Sequence, residues 1–267
     1  MLADYHVHSR YSADCSADME DQIRHAVSKG LDEICFTEHV EYDFHLGAWH
    51  ADLGRYTEER LREHRGIRIK YGIEAGLSCS DESMERIQRE ISEYDLDFVL
   101  ASLHELRGMD PYMEGLFLGR DPTDLLREYF ATLYERLCRA DPSKISSVAH
   151  LDFLSKGFGK KYLPDGAVRY GYAPDELDAI FKWVINNGKC IEINTSTCAG
   201  NVCGDLPGRD WLKRYAELGG EYVTLGSDAH TTDKVGFMLR EAGELARECG
   251  IKWSAVFHRM LPQFYRL

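Results

Sequence analysis

Seven short apolar segments, most of them ending in a polar or ionisable residue, alternate along the chain with segments of helical periodicity. Between them, apolar residues recur at helical spacing, as at Met84, Ile87 and Ile91. Strands that alternate with helices form a parallel sheet, because each crossover helix returns the chain to the same end of the sheet. The pattern therefore predicts an α/β fold whose strands are the segments 2–8, 34–39, 69–76, 97–104, 145–150, 190–196 and 222–230.

The predicted helix-capping residues agree with this alternation, and no segment resembles a linker to a second domain. Predicted helix starts lie at Ser16 or Asp18, Ser80, Asp121 and Ala173, and predicted stops at Gly30, Gly188, Gly219 and Gly250. The segment 151–173 has little periodicity, so we expect it to form a loop over one face. A single α/β barrel can contain about 250 residues. We therefore expect one domain over residues 1–267.

The composition excludes several classes of protein. Lysines and arginines number 32 against 45 acidic residues, a balance of −13, and this charge argues against extended nucleic-acid binding. Residues 1–10 do not resemble a signal peptide, and the chain has no apolar run of about 18 residues, so no membrane interaction is expected. We expect a cytoplasmic protein with its cysteines as thiols. The sequence does not predict the oligomeric state.

The stretch "DYHVHSRYSADCS" places two histidines in the first predicted strand. Residues two apart on a strand point to the same side, so His6 and His8 present both imidazoles to one volume. Two surface histidines on an edge strand would show the same spacing. The pair alone therefore leaves metal binding and simple surface exposure open.

Further ionisable residues at or near the ends of the other predicted strands favour metal binding. The carboxyl ends of parallel barrel strands meet at one mouth. Six histidines and three carboxylates would need two or three divalent ions, and nitrogen and oxygen ligands without thiolate favour Zn, Mn or Fe. His45 and His50 follow the second strand, where a surface role is favoured over a substrate-facing one. The candidate ligands are His6, His8, Asp14, His39, Glu74, His104, His150, Asp228 and His230.

Several stretches resemble the PHP (polymerase and histidinol phosphatase) family, and most closely its histidinol-phosphate phosphatase branch. They are "DYHVHSRYSADCS", "EICFTEH", "GIEAG", "LASLHE", "AHLDF", "EINTS" and "GSDAH", which follow in order from residue 4 to residue 230. The resemblance implies a distorted (β/α)7 TIM-like barrel of parallel strands with a metal site at its C-terminal mouth. Amidohydrolases also begin with H-x-H, but "SDAH" and the position of Glu74 favour the PHP family.

The resemblance also implies a ligand set for each ion and a reaction. The reaction is hydrolysis of a small phosphomonoester such as histidinol phosphate, an intermediate of histidine biosynthesis, by a bridging hydroxide that attacks phosphorus. Glu74, Asp228 and His230 would be the catalytic residues. The implied ligands are His6, His8, Glu74 and Asp228 for one ion, Glu74, His104 and His150 for a second, and Asp14, His39 and His230 for a third.

The chain departs from the family that it resembles at two positions where similar phosphatases carry phosphate-binding arginines. The first position falls in "AHLDFLSKGFGKKY", which offers Lys156, Lys160 or Lys161, and the second holds Ala199. Guanidinium groups match the phosphate fork, so the substrate is the open question. A phosphodiesterase or nuclease, a phosphatase for another ester and a non-catalytic metal-binding module remain alternatives. Candidate substrate contacts are Lys156, Asn194, Arg209 and Ser227.

Overall fold

One mixed sheet surrounded by helices forms the computed structural model, which describes residues 1–47, 49–60, 66–77, 80–198 and 208–267. The seven predicted strands are all present, and each runs parallel to the next of the seven along the sheet. Within the described ranges, no helix is long and apolar enough to cross a membrane. The seven strands are β1 (Ala3–Val7), β2 (Glu33–Glu41), β4 (Arg68–Gly76), β5 (Phe98–Ser102), β6 (Ser147–Val148), β7 (Cys190–Asn194) and β8 (Tyr222–Gly226).

Helices cover the outer side of these strands. The predicted caps are confirmed at Asp18, Ser80, Asp121 and Ala173. The segment 151–173, predicted as a loop, instead contains 3-10 turns and one short helix. The helices are α1 (Met19–Ser28), α2 (Leu53–Glu58), α3 (Asp81–Glu93), α4 (Pro122–Arg139), α5 (Gly159–Tyr162), α6 (Pro174–Asn186), α7 (Arg209–Glu217) and α8 (Leu239–Glu248).

Three further strands lie outside the predicted set: β3 (Trp49–His50), β9 (Trp253–His258) and β10 (Leu261–Arg266). The antiparallel pair β9 and β10 lies at the amino end of the strands, where Phe257 packs against the rings of Tyr5 and Phe98. The Phe257 amide donates to the Tyr5 hydroxyl oxygen at 2.6 Å. The C-terminal hairpin therefore fills the end of the barrel opposite to the predicted metal site.

Hydrogen bonds join the first strand to the segment that follows the eighth. The amide of His8 donates to the carbonyl of Ala229 at 2.9 Å, and the amide of Asp228 donates to the carbonyl of His6 at 2.7 Å. At the amino ends, β8 pairs instead with β9. The result is the distorted barrel that the resemblance implied, with its strand ends joined at the mouth.

A β-bulge in β1 directs both histidines inward. Ala3 and Tyr5 pack inside the barrel, so strict alternation would also place Val7 inside and His6 outside. The register instead shifts between Asp4 and Val7, with Asp4 opposite Ile34 and Val7 opposite Phe36. Val7 therefore joins the outer apolar layer. The extra residue explains why His6 and His8 face the same interior as Tyr5.

Candidate metal centre

All nine predicted ligands lie at or beyond the carboxyl ends of the parallel strands. Most of their side chains are buried, and His6 and His8 are fully buried. Asp228 has a positive φ of 53°, a backbone conformation that aspartate tolerates better than most residues and that recurs at functional sites. The structure therefore brings together the residues that the strand-end pattern predicts.

The first group of ligand atoms surrounds one oxygen of Glu74. The Nε2 atoms of His6 and His8 are 3.0 Å apart. They lie 3.2 and 3.3 Å from Glu74 Oε2, and each is 3.5 Å from Asp228 Oδ1. Ligands about 2.0–2.1 Å from a tetrahedral zinc lie about 3.3 Å from one another. This spacing fits one metal ion.

The second group surrounds the other oxygen of the same carboxylate. His104 Nε2 lies 3.0 Å and His150 Nε2 2.8 Å from Glu74 Oε1, and the two ring nitrogens are 3.2 Å apart. Ser102 Oγ donates to Glu74 Oε1 at 2.6 Å. Glu74 therefore contacts two separate histidine pairs, one with each oxygen.

The third group is more open to solvent. His230 Nε2 lies 2.9 Å and His39 Nε2 3.7 Å from Asp14 Oδ2. His39 Nδ1 lies 3.2 Å from Glu74 Oε2, and the rings of His39 and His230 both stack on His8. Ring atoms of His8, His39 and His230 are close enough to hold an ion. These residues form the rim of the metal centre.

Carboxylates and a hydroxyl that the sequence analysis missed orient the ligand rings. His6 Nδ1 lies 2.7 Å from Glu192 Oε1, His104 Nδ1 contacts Glu41 Oε1, and His8 Nδ1 lies 3.0 Å from Ser12 Oγ. Each acidic residue occupies an inward position in an apolar strand, two residues away from another inward polar residue. Two polar residues stand two positions apart in each strand, His39 and Glu41 in "TEHVE" and Glu192 and Asn194 in "CIEINTS". This spacing is the signal that could have identified them.

These contacts leave the Nε2 atoms available as ligands. Ser12 Oγ donates to Glu38 Oε2 at 2.6 Å, so it accepts from His8 Nδ1. A neutral ring that donates through Nδ1 has only a lone pair at Nε2. With both rings neutral, two such lone pairs would face each other, because the Nε2 atoms of His6 and His8 are 3.0 Å apart. A cation between them removes this repulsion, so the donor set fits a bound metal.

The charges of the buried groups also favour a bound cation at the metal centre. Burial alone would lower the pKa of His6, but the carboxylates of Glu192, Glu74 and Asp228 raise that pKa well above its usual value. Burial alone would raise the pKa of Glu74, but the charges of the surrounding histidines lower it well below its usual range. The carboxylates thus create a site that attracts cations.

The predicted substrate contacts divide into two classes. Lys156 lines the pocket, and its Nζ lies 2.5 Å from Asp228 Oδ2. Asn194 is buried beside the centre and donates through Nδ2 to the same oxygen at 3.3 Å. Ser196 Oγ, which the sequence analysis did not single out, also donates to it, at 3.2 Å. Lys156 and Asn194 therefore both contact a candidate metal ligand.

Two other predicted contacts lie away from the pocket. Ser227 donates through Oγ to Asp4 Oδ2 at 2.6 Å, on the far side of the strand from the metal centre. Arg209 begins α7 and pairs with Glu248 of α8 at 2.8 Å on the outer surface. Lys160 lies at the wider opening, whereas Lys161 pairs with Glu114. Ala199 lies outside the described residues.

A cavity of about 100 Å³ lies over the metal centre, and seven of the candidate ligands line it. Residues from several loops complete its wall beside the candidate ligands. Four of them are aromatic. The described residues that line it besides the candidate ligands are Phe44, Trp49, Asp110, Tyr112, Phe153 and Lys156.

Comparison with known proteins identifies the family. The PHP domain matches residues 4–196. The chain belongs to the PHP family. A probable histidinol-phosphatase of Clostridium acetobutylicum is 30% identical over 254 residues, which cover 94% of this chain and 95% of that protein. The histidinol-phosphatase of Lactococcus lactis is 29% identical to this PHP protein, covering 96% of this chain and 94% of that protein.

A solved structure supports the same assignment. The histidinol phosphate phosphatase of Lactococcus lactis, in complex with Zn, L-histidinol and phosphate, superposes with a TM-score of 0.86. The two chains are 27% identical, and the match covers 98% of each. The fold of this PHP chain and the order of its elements are therefore those of a known metal-binding phosphatase structure.

Proposed function

We propose that the chain is a metal-dependent phosphomonoesterase that acts on histidinol phosphate. The observation that carries the proposal is the Glu74 carboxylate, whose two oxygens contact separate histidine pairs at 2.8–3.3 Å. A carboxylate shared in this way is suited to bridge two ions. The relatives named histidinol-phosphatase and the Lactococcus lactis complex with Zn, L-histidinol and phosphate support the substrate class.

The ligand atoms divide among two or three divalent ions of Zn, Mn or Fe. When bound, the ions supply a water of lowered pKa and neutralise the charge that develops on the phosphoryl oxygens. Asp228 would bind through Oδ1, since Oδ2 already accepts from Lys156, Asn194 and Ser196. The ligand sets are His6, His8, Glu74 and Asp228, then Glu74, His104 and His150, and then Asp14, His39 and His230.

Lys156 is the residue of the chain best placed to meet the phosphate charge. Among the described residues that line the cavity, it is the only lysine or arginine. Burial alone would lower the pKa of Lys156, but the adjacent Asp228 carboxylate raises it above its usual value, so the ammonium stays charged. It provides one charged donor at the position where related phosphatases carry an arginine.

Replacing Lys156 with alanine should weaken phosphate recognition. We expect the inhibition constant of inorganic phosphate and the KM of a phosphomonoester to rise about 10- to 100-fold, because one charge-assisted hydrogen bond is lost. Lys156→Arg should retain most of the affinity. The control is Lys161→Ala, which removes an exposed lysine paired with Glu114. Equal constants for Lys156→Ala and the control would contradict the role.

The function itself is tested by phosphate release from the metal-loaded protein. The substrates are L-histidinol phosphate, other small phosphomonoesters and a dinucleotide diester. We expect turnover of L-histidinol phosphate with the highest kcat/KM, and loss of turnover after chelation. If the diester is cleaved and no phosphomonoester is hydrolysed, the proposal is rejected in favour of a phosphodiesterase. Absence of turnover with every ester would favour a non-catalytic module.

A further inference from the structure

Asp110 is an acidic residue of the cavity wall that the metal centre leaves unused. Only 7% of the residue is exposed, yet it lines the same cavity as the candidate ligands. Its Oδ1 accepts from the amide of Tyr112 at 2.8 Å, which fixes the carboxylate against its own loop. Its Oδ2 lies 3.5 Å from His45 Nε2.

The surroundings of Asp110 carry excess negative charge. His45 is held by Glu105, which accepts from the His45 amide at 2.8 Å and contacts the ring through Nδ1. Two carboxylates thus share one imidazole, so the group is net negative whether the ring is neutral or charged. A ring that donates to Glu105 through Nδ1 and is neutral has no proton left for Asp110.

Cations of the protein do not balance this charge within the described part of the cavity. Lys156 is the single lysine or arginine among the described lining residues, and it is bonded to Asp228. The rings of Phe44 and Trp49, with centroids 4.5 Å apart, line the same cavity. Aromatic faces beside a carboxylate form a suitable environment for an organic ammonium group.

We propose that Asp110 is a specificity-determining residue that binds a protonated amine of the substrate. The inference rests on the proposed function, since it assigns the phosphate group to the metal centre and the amine to the part of the same cavity that Asp110 lines. Asp110 would then discriminate between phosphomonoesters that carry a primary ammonium group near the ester and those that lack one. Asp110, buried in the wall, contributes a charge-assisted hydrogen bond to that group.

The test compares ligands that differ only in the amine. Binding of L-histidinol and of its des-amino analogue, 3-(imidazol-4-yl)propan-1-ol, to the metal-loaded protein is measured by calorimetry for wild type and Asp110→Asn. The asparagine keeps Oδ1 as an acceptor for the Tyr112 amide and removes only the charge. The control is Glu114→Gln, which removes one exposed charge four residues further along.

We expect Asp110→Asn to raise the Kd of L-histidinol about 10- to 100-fold and to leave the Kd of the analogue and the metal content unchanged. With the phosphate esters of these two alcohols, Asp110→Asn should raise the KM only for the ester that carries the amine, and kcat should change little. An equal change for both ligands, no change for either, or no binding of L-histidinol to wild type would overturn the inference. Failure of the proposed function is distinguishable, because phosphate release would then be absent while the binding measurements still decide the role of Asp110.

Discussion

The His6→Ala, His8→Ala double variant should lose at least one metal ion per chain and about three orders of magnitude in phosphatase kcat/KM. Both Nε2 atoms belong to the group around Glu74 Oε2 and Asp228 Oδ1, so two of its four ligand side chains disappear. A catalytic metal ion contributes several kcal/mol of transition-state stabilisation, which corresponds to this factor. Elemental analysis and phosphate release provide the two measurements.

Two controls separate ligand loss from damage to the fold. His258→Ala removes an imidazole that is 59% exposed and pairs with Asp97 at the amino end of the barrel, and it should retain metal and activity. Chelation of the wild-type protein should cause the same loss as the double variant, with recovery when metal is restored. Unchanged metal content in a folded double variant would reject His6 and His8 as ligands.

Glu74→Gln should have an effect as large as that of the double histidine variant, although it changes only one atom of the side chain. An amide has one oxygen that can bind a metal, whereas its nitrogen cannot. Because each Glu74 oxygen contacts a different histidine pair, the variant should lose the ion of at least one group and the coupling between the two. We expect a fall in kcat/KM of about 1,000-fold.

Glu33→Gln is the matched control for this prediction. Glu33 is also a buried carboxylate inside the barrel, but at the opposite end, where it contacts the Tyr5 hydroxyl and pairs with Arg68 at 2.7 Å. The control should lower thermal stability while it keeps the metal content of wild type. If Glu74→Gln also kept its full metal content and rate, the bridging role would be wrong.

The parallel strands and the gathering of the candidate ligands were predictable because both follow from simple periodicities. Strand ends converge at one mouth in any parallel barrel, so position at a strand end was a sufficient guide to His104 and His150. The same reasoning could not place Ser227 or Arg209, since adjacency in sequence does not determine which side of a strand or helix a residue faces. Ser227 faces Asp4, although its neighbour Asp228 faces the histidines.

Contacts between distant parts of the chain were less accessible from the sequence. Glu192 contacts His6 across 186 positions, and Glu41 contacts His104 across 63. The hairpin of β9 and β10 has no simple alternation, because β9 is buried and β10 largely exposed. Its role depends on Tyr5 and Phe98, which lie far away in the chain.

The bulge in β1 allows two successive side chains, Tyr5 and His6, to face the interior of the barrel. Deletion of one residue between Asp4 and Val7 would restore regular alternation through the strand. Only one of Tyr5 and His6 would then remain between Asp4 and Val7, while Val7 would still face outward and His8 inward. The bulge therefore lets adjacent residues of one short strand serve opposite ends of the barrel: His6 contacts Glu74 at the mouth, and Tyr5 accepts a hydrogen bond from the Phe257 amide of the C-terminal hairpin.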